Sequence, residues 1–132
     1  MRVLAVDLGT RRTGFAISDP GEKLAMALPT LEDVGPDDVA RVAEEQEAGL
    51  IVVGLPLNMD GTTGPAARRS LDFVEELKLH VEIPVVTWDE RLSTAEGGAR
   101  LRQAGLNRKE RRKRADVAAA VVILDSYLRR SP

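Results

Sequence analysis

The chain has 132 residues, of which 43% are hydrophobic, and it contains no cysteine. That length suffices for one domain with a sizeable aliphatic core, and the missing cysteines exclude disulfides and thiolate metal sites. No apolar run approaches the roughly 20 residues that span a bilayer, and the first residues lack the pattern of a secretion signal. We therefore expect a single domain over residues 1–132, located in the cytoplasm and without a membrane segment.

The formal net charge of −2 hides a strong segregation of charge along the chain. Residues 32–47 carry seven acidic side chains and one arginine, whereas residues 100–114 carry eight basic side chains and one glutamate. A local basic surface, rather than net charge, is the footprint of nucleic-acid binding. The sequence therefore predicts a basic end that binds phosphates, although a solvated helix face would have a similar composition. The predicted phosphate contacts in this segment are Arg108, Lys109, Arg111, Arg112, Lys113 and Arg114.

The first nineteen residues predict a β-hairpin whose first strand ends on a carboxylate. Residues 2–6 form a short apolar run rich in β-branched side chains, and residues 15–17 form a second run. Asp7 and Gly9 lead into the polar turn between them. We expect Asp7 to face a cleft at the end of a central strand, where a bound cation would compensate its charge. A turn-forming or helix-capping aspartate would fit the same pattern.

The remaining elements alternate between helix and strand. Residues 24–31 are apolar with Pro29 near their end, which predicts an edge strand. Pro36 followed by two aspartates predicts a helix start, and Gly49 is the predicted C-terminal stop. Later patterns predict strands at 50–54 and 83–88, a loop at 55–64, and helices from Pro65, from Ser93 and over 115–130. The order β-β-β-α-β-α-β-α-α predicts a mixed sheet covered by helices.

Three further carboxylates fall at the ends of predicted elements. Asp89 and Glu90 follow the last strand, and Asp116 begins the last helix. Because sites gather at the carboxyl ends of parallel strands, we expect these acids to converge with Asp7. Such oxygen ligands suit Mg²⁺ or Mn²⁺, and two ions together can promote phosphodiester hydrolysis. Each acid alone has another explanation, because Glu90 could pair with Arg91 and Asp116 could stabilise the start of its helix.

Four segments of the chain resemble, in order and spacing, the motifs of the YqgF family, also called RuvX: VDLGTRRTGFAISD, GLPLNMDGTTGP, WDERLSTAEG and RADVAAAVVILDSYL. The resemblance covers nearly the whole chain and implies a ribonuclease-H-like α/β fold. In that fold an antiparallel β-meander and alternating helices and strands form a five-stranded mixed sheet. The resemblance also implies an acidic, metal-dependent site at Asp7, Glu90 and Asp116, although Asp89 could replace Glu90. Relatives often carry a lysine where this chain has Val117.

The same resemblance implies a nuclease related to the RuvC Holliday-junction resolvases. We expect a metal-dependent endonuclease that uses two Mg²⁺ or Mn²⁺ ions on structured RNA and processes the 5′ end of pre-16S ribosomal RNA. Arg11, Arg12, Asn58 and Arg91 are the other predicted substrate contacts, although Asn58 fits a turn equally well. The alternative is a Holliday-junction resolvase acting on branched DNA, which needs a symmetric dimer. For the nuclease we expect a monomer or a weak homodimer.

Two other functional classes remain open. The segment from Asp7 to Gly14 also resembles the first phosphate-binding motif of actin-like ATPases and sugar kinases. Those proteins close two such lobes on ATP, whereas this chain has residues for one. A non-catalytic RNA-binding module would retain the same acids, because carboxylates establish a capacity for metal but not turnover.

Overall fold

The computed structural model of the chain describes residues 1–92 and 119–130. The described elements are strands β1 (Arg2–Leu8), β2 (Arg12–Ser18) and β3 (Ala25–Glu32), helix α1 (Pro36–Glu45), strand β4 (Ala48–Leu55), helix α2 (Pro65–Leu77) and strand β5 (Val85–Asp89). A 3-10 turn over Glu90–Leu92 follows β5, and residues 119–128 are helical. The predicted helix from Ser93 and the basic segment 108–114 lie outside the described residues.

Within the described residues, the strands form one five-stranded mixed sheet in the order β3-β2-β1-β4-β5. Antiparallel pairs join β1 to β2 and β2 to β3, which confirms the predicted meander. Parallel pairs join β1 to β4 and β4 to β5, as the intervening helices α1 and α2 allow. The carboxyl ends of β1, β4 and β5 therefore lie at the same edge of the sheet.

Apolar side chains pack on both faces of the sheet, because successive residues of a strand point to opposite sides. On one face, Leu4 packs in a core with Val39 of α1 and Leu77 of α2. On the other face, Val52 packs in a core with Ile123 of the helical segment 119–128. The central strands are thus buried from both sides, as their continuous apolar runs predict. None of the helices in the described part of the chain has the length and apolar character that crossing a membrane requires.

The end of α1 differs from the prediction. The helix ends at Glu45, and Glu47 takes the left-handed backbone conformation with φ 54°. Gly49 lies inside β4, so its prediction as the helix stop was wrong: a glutamate supplies the left-handed residue that usually follows a helix. A Cβ added at Gly49 would lie 2.8 Å from the sulfur of Met1. A side chain at Gly49 would therefore displace that of Met1, and Gly49 itself does not have a positive φ.

Candidate functional site

Asp7 lies at the carboxyl end of β1, on the sheet face that the helical segment 119–128 covers. Val3 and Ala5 precede it at alternate positions, and both belong to the core on that face. The carboxylate is partly buried. The chain can turn directly after it because residue 9 is glycine: a Cβ at Gly9 would overlap the backbone carbonyl oxygen of Arg12. The sequence therefore places this acid at the end of a central strand, as predicted.

Glu90 approaches Asp7 from the other side of β4. It is the first residue of the 3-10 turn that follows β5, and its side chain is partly buried. Burial, together with the negative charges of Asp7 and Asp89, raises the pKa of Glu90 to about 7. A charge has this effect only on a group close to it. The structure thus brings Asp7 and Glu90, two of the acids that the sequence predicts to converge, within electrostatic reach of each other.

Gly54 of β4 lies between these two acids, and sequence reasoning missed it. The parallel register pairs Val6 with Val53 and Gly54 with Trp88, so Gly54 lies at the carboxyl edge between β1 and β5. A Cβ at Gly54 would lie 3.1 Å from both Cγ and Cδ of Glu90. The Glu90 side chain therefore lies against the backbone of β4. The available signal was a glycine inside a continuous apolar strand, which often marks a close approach.

Asp89 has a different environment from Glu90. Its carboxylate accepts hydrogen bonds from Nε of Arg91 at 3.0 and 3.1 Å, from Nη2 at 2.7 Å and from the backbone N–H at 2.9 Å. The side-chain hydrogen bonds from Arg91, with its backbone bond and positive charge, lower the pKa of Asp89. Because Arg91 already compensates the charge of Asp89, the geometry favours Glu90 as the acid that would hold a cation with Asp7.

Arg91 also holds the 56–64 loop, the connection between β4 and α2. Its Nη1 donates to the backbone oxygen of Met59 at 3.2 Å. Within the loop, Asn58 Nδ2 donates to Thr62 Oγ1 at 2.9 Å, and the Thr62 hydroxyl donates to Asp60 Oδ1 at 2.6 Å. The hydrogen bonds from the side chain and backbone of Thr62 lower the pKa of Asp60. Asn58 and Arg91 thus have structural partners, and their contact with substrate stays a prediction.

A cavity of about 270 Å³ opens beside Asp7 at the turn between β1 and β2. Arg11 and Arg12 are exposed in this turn. Nε of Arg12 lies 3.9 Å from a carboxylate oxygen of Glu32, and an exposed pair at that distance contributes little. Two guanidinium groups therefore flank the candidate acidic site. The cavity is lined by Asp7, Gly9, Thr10, Arg11, Arg12, Gly14 and Thr30.

The third predicted ligand, Asp116, lies outside the described residues, as do the basic side chains of segment 108–114. Within residues 1–92 and 119–130, no three His, Cys, Asp or Glu side chains are grouped as a metal site. The pair Asp7 and Glu90 nevertheless fits a hard divalent cation, because its donors are carboxylate oxygens.

Comparison with other sequences gives a family match and close relatives. A family model, RuvX, described as Holliday junction resolvase, matches residues 1–130. A protein of Anaeromyxobacter sp. (strain K), named "Putative pre-16S rRNA nuclease", is 45% identical over an alignment of 139 positions that covers 100% of both chains. A protein of the same name from Listeria monocytogenes serovar 1/2a is 40% identical over an alignment of 134 positions that covers 97% of both chains.

Solved structures share the fold at low sequence identity. T. thermophilus RuvC in complex with a Holliday junction substrate matches with a TM-score of 0.62 and 13% identity, over 96% of this chain and 91% of that one. The fowlpox virus Holliday junction resolvase matches with a TM-score of 0.59 and 14% identity, over 97% of this chain and 98% of that one. These likenesses confirm the predicted fold class, an α/β ribonuclease-H-like fold with a five-stranded mixed sheet.

Proposed function

The chain belongs to the RuvX family, and on that premise we propose that it is a metal-dependent endonuclease that hydrolyses phosphodiester bonds of structured RNA. Its proposed substrate is the 5′ end of pre-16S ribosomal RNA, processed during ribosome biogenesis. The names of the Anaeromyxobacter and Listeria relatives support this substrate, because those relatives match over nearly the full length of both chains. The observation that carries the proposal is that Asp7, at the end of β1, and Glu90, directly after β5, lie at the same carboxyl edge of the sheet, where the charge of Asp7 acts on Glu90.

Asp7, Glu90 and Asp116 would hold two divalent cations, Mg²⁺ or Mn²⁺. Two such ions activate a water for attack on the phosphorus and stabilise the leaving oxygen. The environment of Glu90 supports this assignment: burial and the charge of Asp7 disfavour its ionised form, which a nearby cation would favour. Asp89 instead pairs with Arg91, from whose Nη2 its carboxylate accepts a hydrogen bond at 2.7 Å.

Basic side chains around the acids would hold the RNA backbone. Arg11 and Arg12 are exposed beside Asp7 and would contact phosphates next to the bond that is cut. Asn58 and Arg91 would contact the substrate from the 56–64 loop and the end of β5. The phosphate contacts would continue along the basic segment through Arg108, Lys109, Arg111, Arg112, Lys113 and Arg114.

Cleavage of an RNA that carries the 5′ extension of pre-16S rRNA tests the proposal, with and without Mn²⁺. We expect cleavage by the unsubstituted chain only with the metal, and a loss of at least about 100-fold in Asp7→Asn. Asp72→Asn, an exposed carboxylate of α2, is the matched control and should cleave normally. Undiminished cleavage by Asp7→Asn would remove Asp7 from the site, and cleavage unchanged by chelation would contradict metal dependence.

A second candidate is a Holliday-junction resolvase with the same chemistry, because the matching family model carries that description. Resolution needs two sites that cut opposite strands, and therefore a symmetric dimer. Light scattering of Asp7→Asn with four-way junction DNA separates the candidates. One chain per junction, together with preferential cleavage of the RNA by the unsubstituted chain, would exclude the resolvase.

We also propose that residues 1–132 act as a single domain in the cytoplasm, as a monomer or a weak homodimer. A sequence without cysteine suits a reducing compartment, which supports the location. Sedimentation of the purified chain over a range of concentrations tests the oligomeric state, and a tight dimer at every concentration would contradict it.

A further inference from the structure

We propose that Gly54 is a positioning residue of the candidate site: the absence of a side chain at this position leaves the space through which Glu90 reaches Asp7. The inference rests on the proposed function, because Gly54 would act through Glu90 as a metal ligand. Gly54 lies inside the buried strand β4, and in this role it would contact neither the substrate nor the metal.

The strand order makes β4 an obstacle between the two acids. Asp7 belongs to β1 and Glu90 follows β5, while β4 pairs with both strands. Near the edge where the acids meet, β4 pairs Gly54 with Trp88 of β5 and then Leu55 with Asp89. A Cβ added to Gly54 would contact Glu90 and Ile123. It would therefore point to the face of the sheet on which the Glu90 side chain lies.

The distances show how little room there is. A Cβ at Gly54 would lie 3.1 Å from Cγ and from Cδ of Glu90. Two carbon atoms in ordinary contact are about 3.5 to 4.0 Å apart. An alanine would therefore displace the carboxylate by several tenths of an ångström. Divalent cations with strict octahedral preferences tolerate such a displacement poorly.

Backbone conformation does not account for the glycine. Among the described residues, Gly61 is the glycine with a positive φ, and Gly54 has a conformation open to other residues. Glycine inside a strand also weakens the strand, because it provides no side chain to pack. A close approach by another group is therefore the reason that the geometry supports.

A second contact has to be separated from the first. The same Cβ would lie 2.7 Å from Cδ1 of Ile123 in the helical segment 119–128. Gly54→Ala alone would therefore disturb helix packing as well as Glu90. Ile123→Val deletes Cδ1 and leaves the rest of the side chain, so the double variant Gly54→Ala/Ile123→Val isolates the effect on Glu90.

The test is the affinity for Mn²⁺ by isothermal titration calorimetry, compared with the melting temperature without metal. Relative to Ile123→Val, we expect the double variant to bind Mn²⁺ about tenfold more weakly and to melt within about 3 °C. Gly49→Ala is the matched control in the same strand, because its Cβ would crowd the sulfur of Met1 at 2.8 Å. It should bind Mn²⁺ as the unsubstituted chain does.

A Glu90→Ala background shows whether Gly54 acts through Glu90. In this background, adding Gly54→Ala to Ile123→Val should not change the affinity for Mn²⁺ that remains. A tenfold loss that persists without the Glu90 side chain would overturn the proposal, and so would equal affinities in its presence. If the unsubstituted chain bound no Mn²⁺, the proposed metal site would fail as well, so the two failures are distinguishable.

Discussion

Asp7 raises the pKa of Glu90, although β4 separates the strands that present the two acids. Burial is the largest cause, the charge of Asp89 adds a smaller contribution, and the three causes together bring the pKa of Glu90 to about 7. Glu90 is thus partly protonated near neutral pH in the metal-free protein. The folded state keeps this acid in a place that disfavours its charge, which is typical of sites built for a ligand rather than for stability.

We expect the metal-free protein to lose stability as the pH rises from about 4.5 to about 7. Glu90 changes its pKa from 4.5 in the unfolded chain to about 7 in the folded one, so the folded state binds the additional proton in this window. The stabilisation is therefore complete below the unfolded pKa and is lost as the pH rises through the folded pKa. The full pKa difference corresponds to about 3 kcal/mol, and solvent screening of the partly exposed side chain reduces the expected loss to roughly 1 to 2 kcal/mol. Urea unfolding across this pH range measures it.

The control is Glu90→Gln, which cannot titrate and has nearly the same shape. The fall between about pH 4.5 and pH 7 should be smaller in this variant, since other groups titrate alike in both proteins. Identical pH profiles for the two proteins would show that Glu90 titrates normally.

The two neighbouring acids after β5 should differ in their effect on cleavage. Glu90→Gln should reduce metal-dependent cleavage of the precursor RNA by at least about 100-fold, because it removes a proposed metal ligand. Asp89→Asn should cost less than about tenfold, since its amide oxygen can still accept from Arg91. Rates at saturating Mn²⁺ decide between the two assignments. A larger loss for Asp89→Asn than for Glu90→Gln would identify Asp89, rather than Glu90, as the metal ligand.

Arg91→Ala should loosen the 56–64 loop while leaving the sheet intact. The guanidinium joins the carboxylate of Asp89 to the backbone oxygen of Met59, so its removal frees one side of the loop. Hydrogen exchange should become severalfold faster at the amide of Gly61, which donates within the loop to Asn58 at 2.8 Å. Arg68→Ala, an exposed arginine of α2, is the control and should leave exchange in the loop unchanged.

Arg11→Ala and Arg12→Ala should each weaken RNA binding in a salt-dependent way. If each side chain neutralises one phosphate, its loss lowers the slope of log affinity against log salt by roughly 0.7 to 0.9. Binding is measured with Asp7→Asn so that the RNA stays intact. Arg41→Ala serves as the control, because Arg41 lies on α1 and pairs with Asp38 at 3.1 Å. If neither variant changed the salt dependence of binding, the RNA would not contact Arg11 or Arg12.

The sequence predicts the fold well where periodicity carries the information. The meander, α1, α2 and the alternating strands follow from apolar runs and from prolines at helix starts, such as Pro36 and Pro65. The prediction was wrong where a residue departs from the usual preference. Glu47 supplies the left-handed position at the end of α1, so Gly49 is free to enter β4.

The candidate site is predictable only in part, because strand register and side-chain contacts are not visible in a linear pattern. Position at strand ends predicts Asp7 and both Asp89 and Glu90, and the family resemblance implies Glu90 among them; in the structure the charge of Asp7 acts on Glu90. The pairing of Asp89 with Arg91 and the close approach at Gly54 depend on distances across neighbouring strands. No periodicity reports such distances, so these features emerge only from the folded chain.

The arrangement of strands also orders the events of folding. The meander that carries Asp7 closes over short turns, whereas the parallel pairs that bring in Glu90 need α1 and α2 to form their crossovers. Local pairings form faster than distant ones, so we expect the two acids to meet late. In stopped-flow refolding, Mn²⁺ capture should lag behind exchange protection of the hairpin amides, and simultaneous traces would contradict this sequence. If Asp7 and Glu90 form the active site, the nuclease becomes active only after both parallel strand pairs have formed.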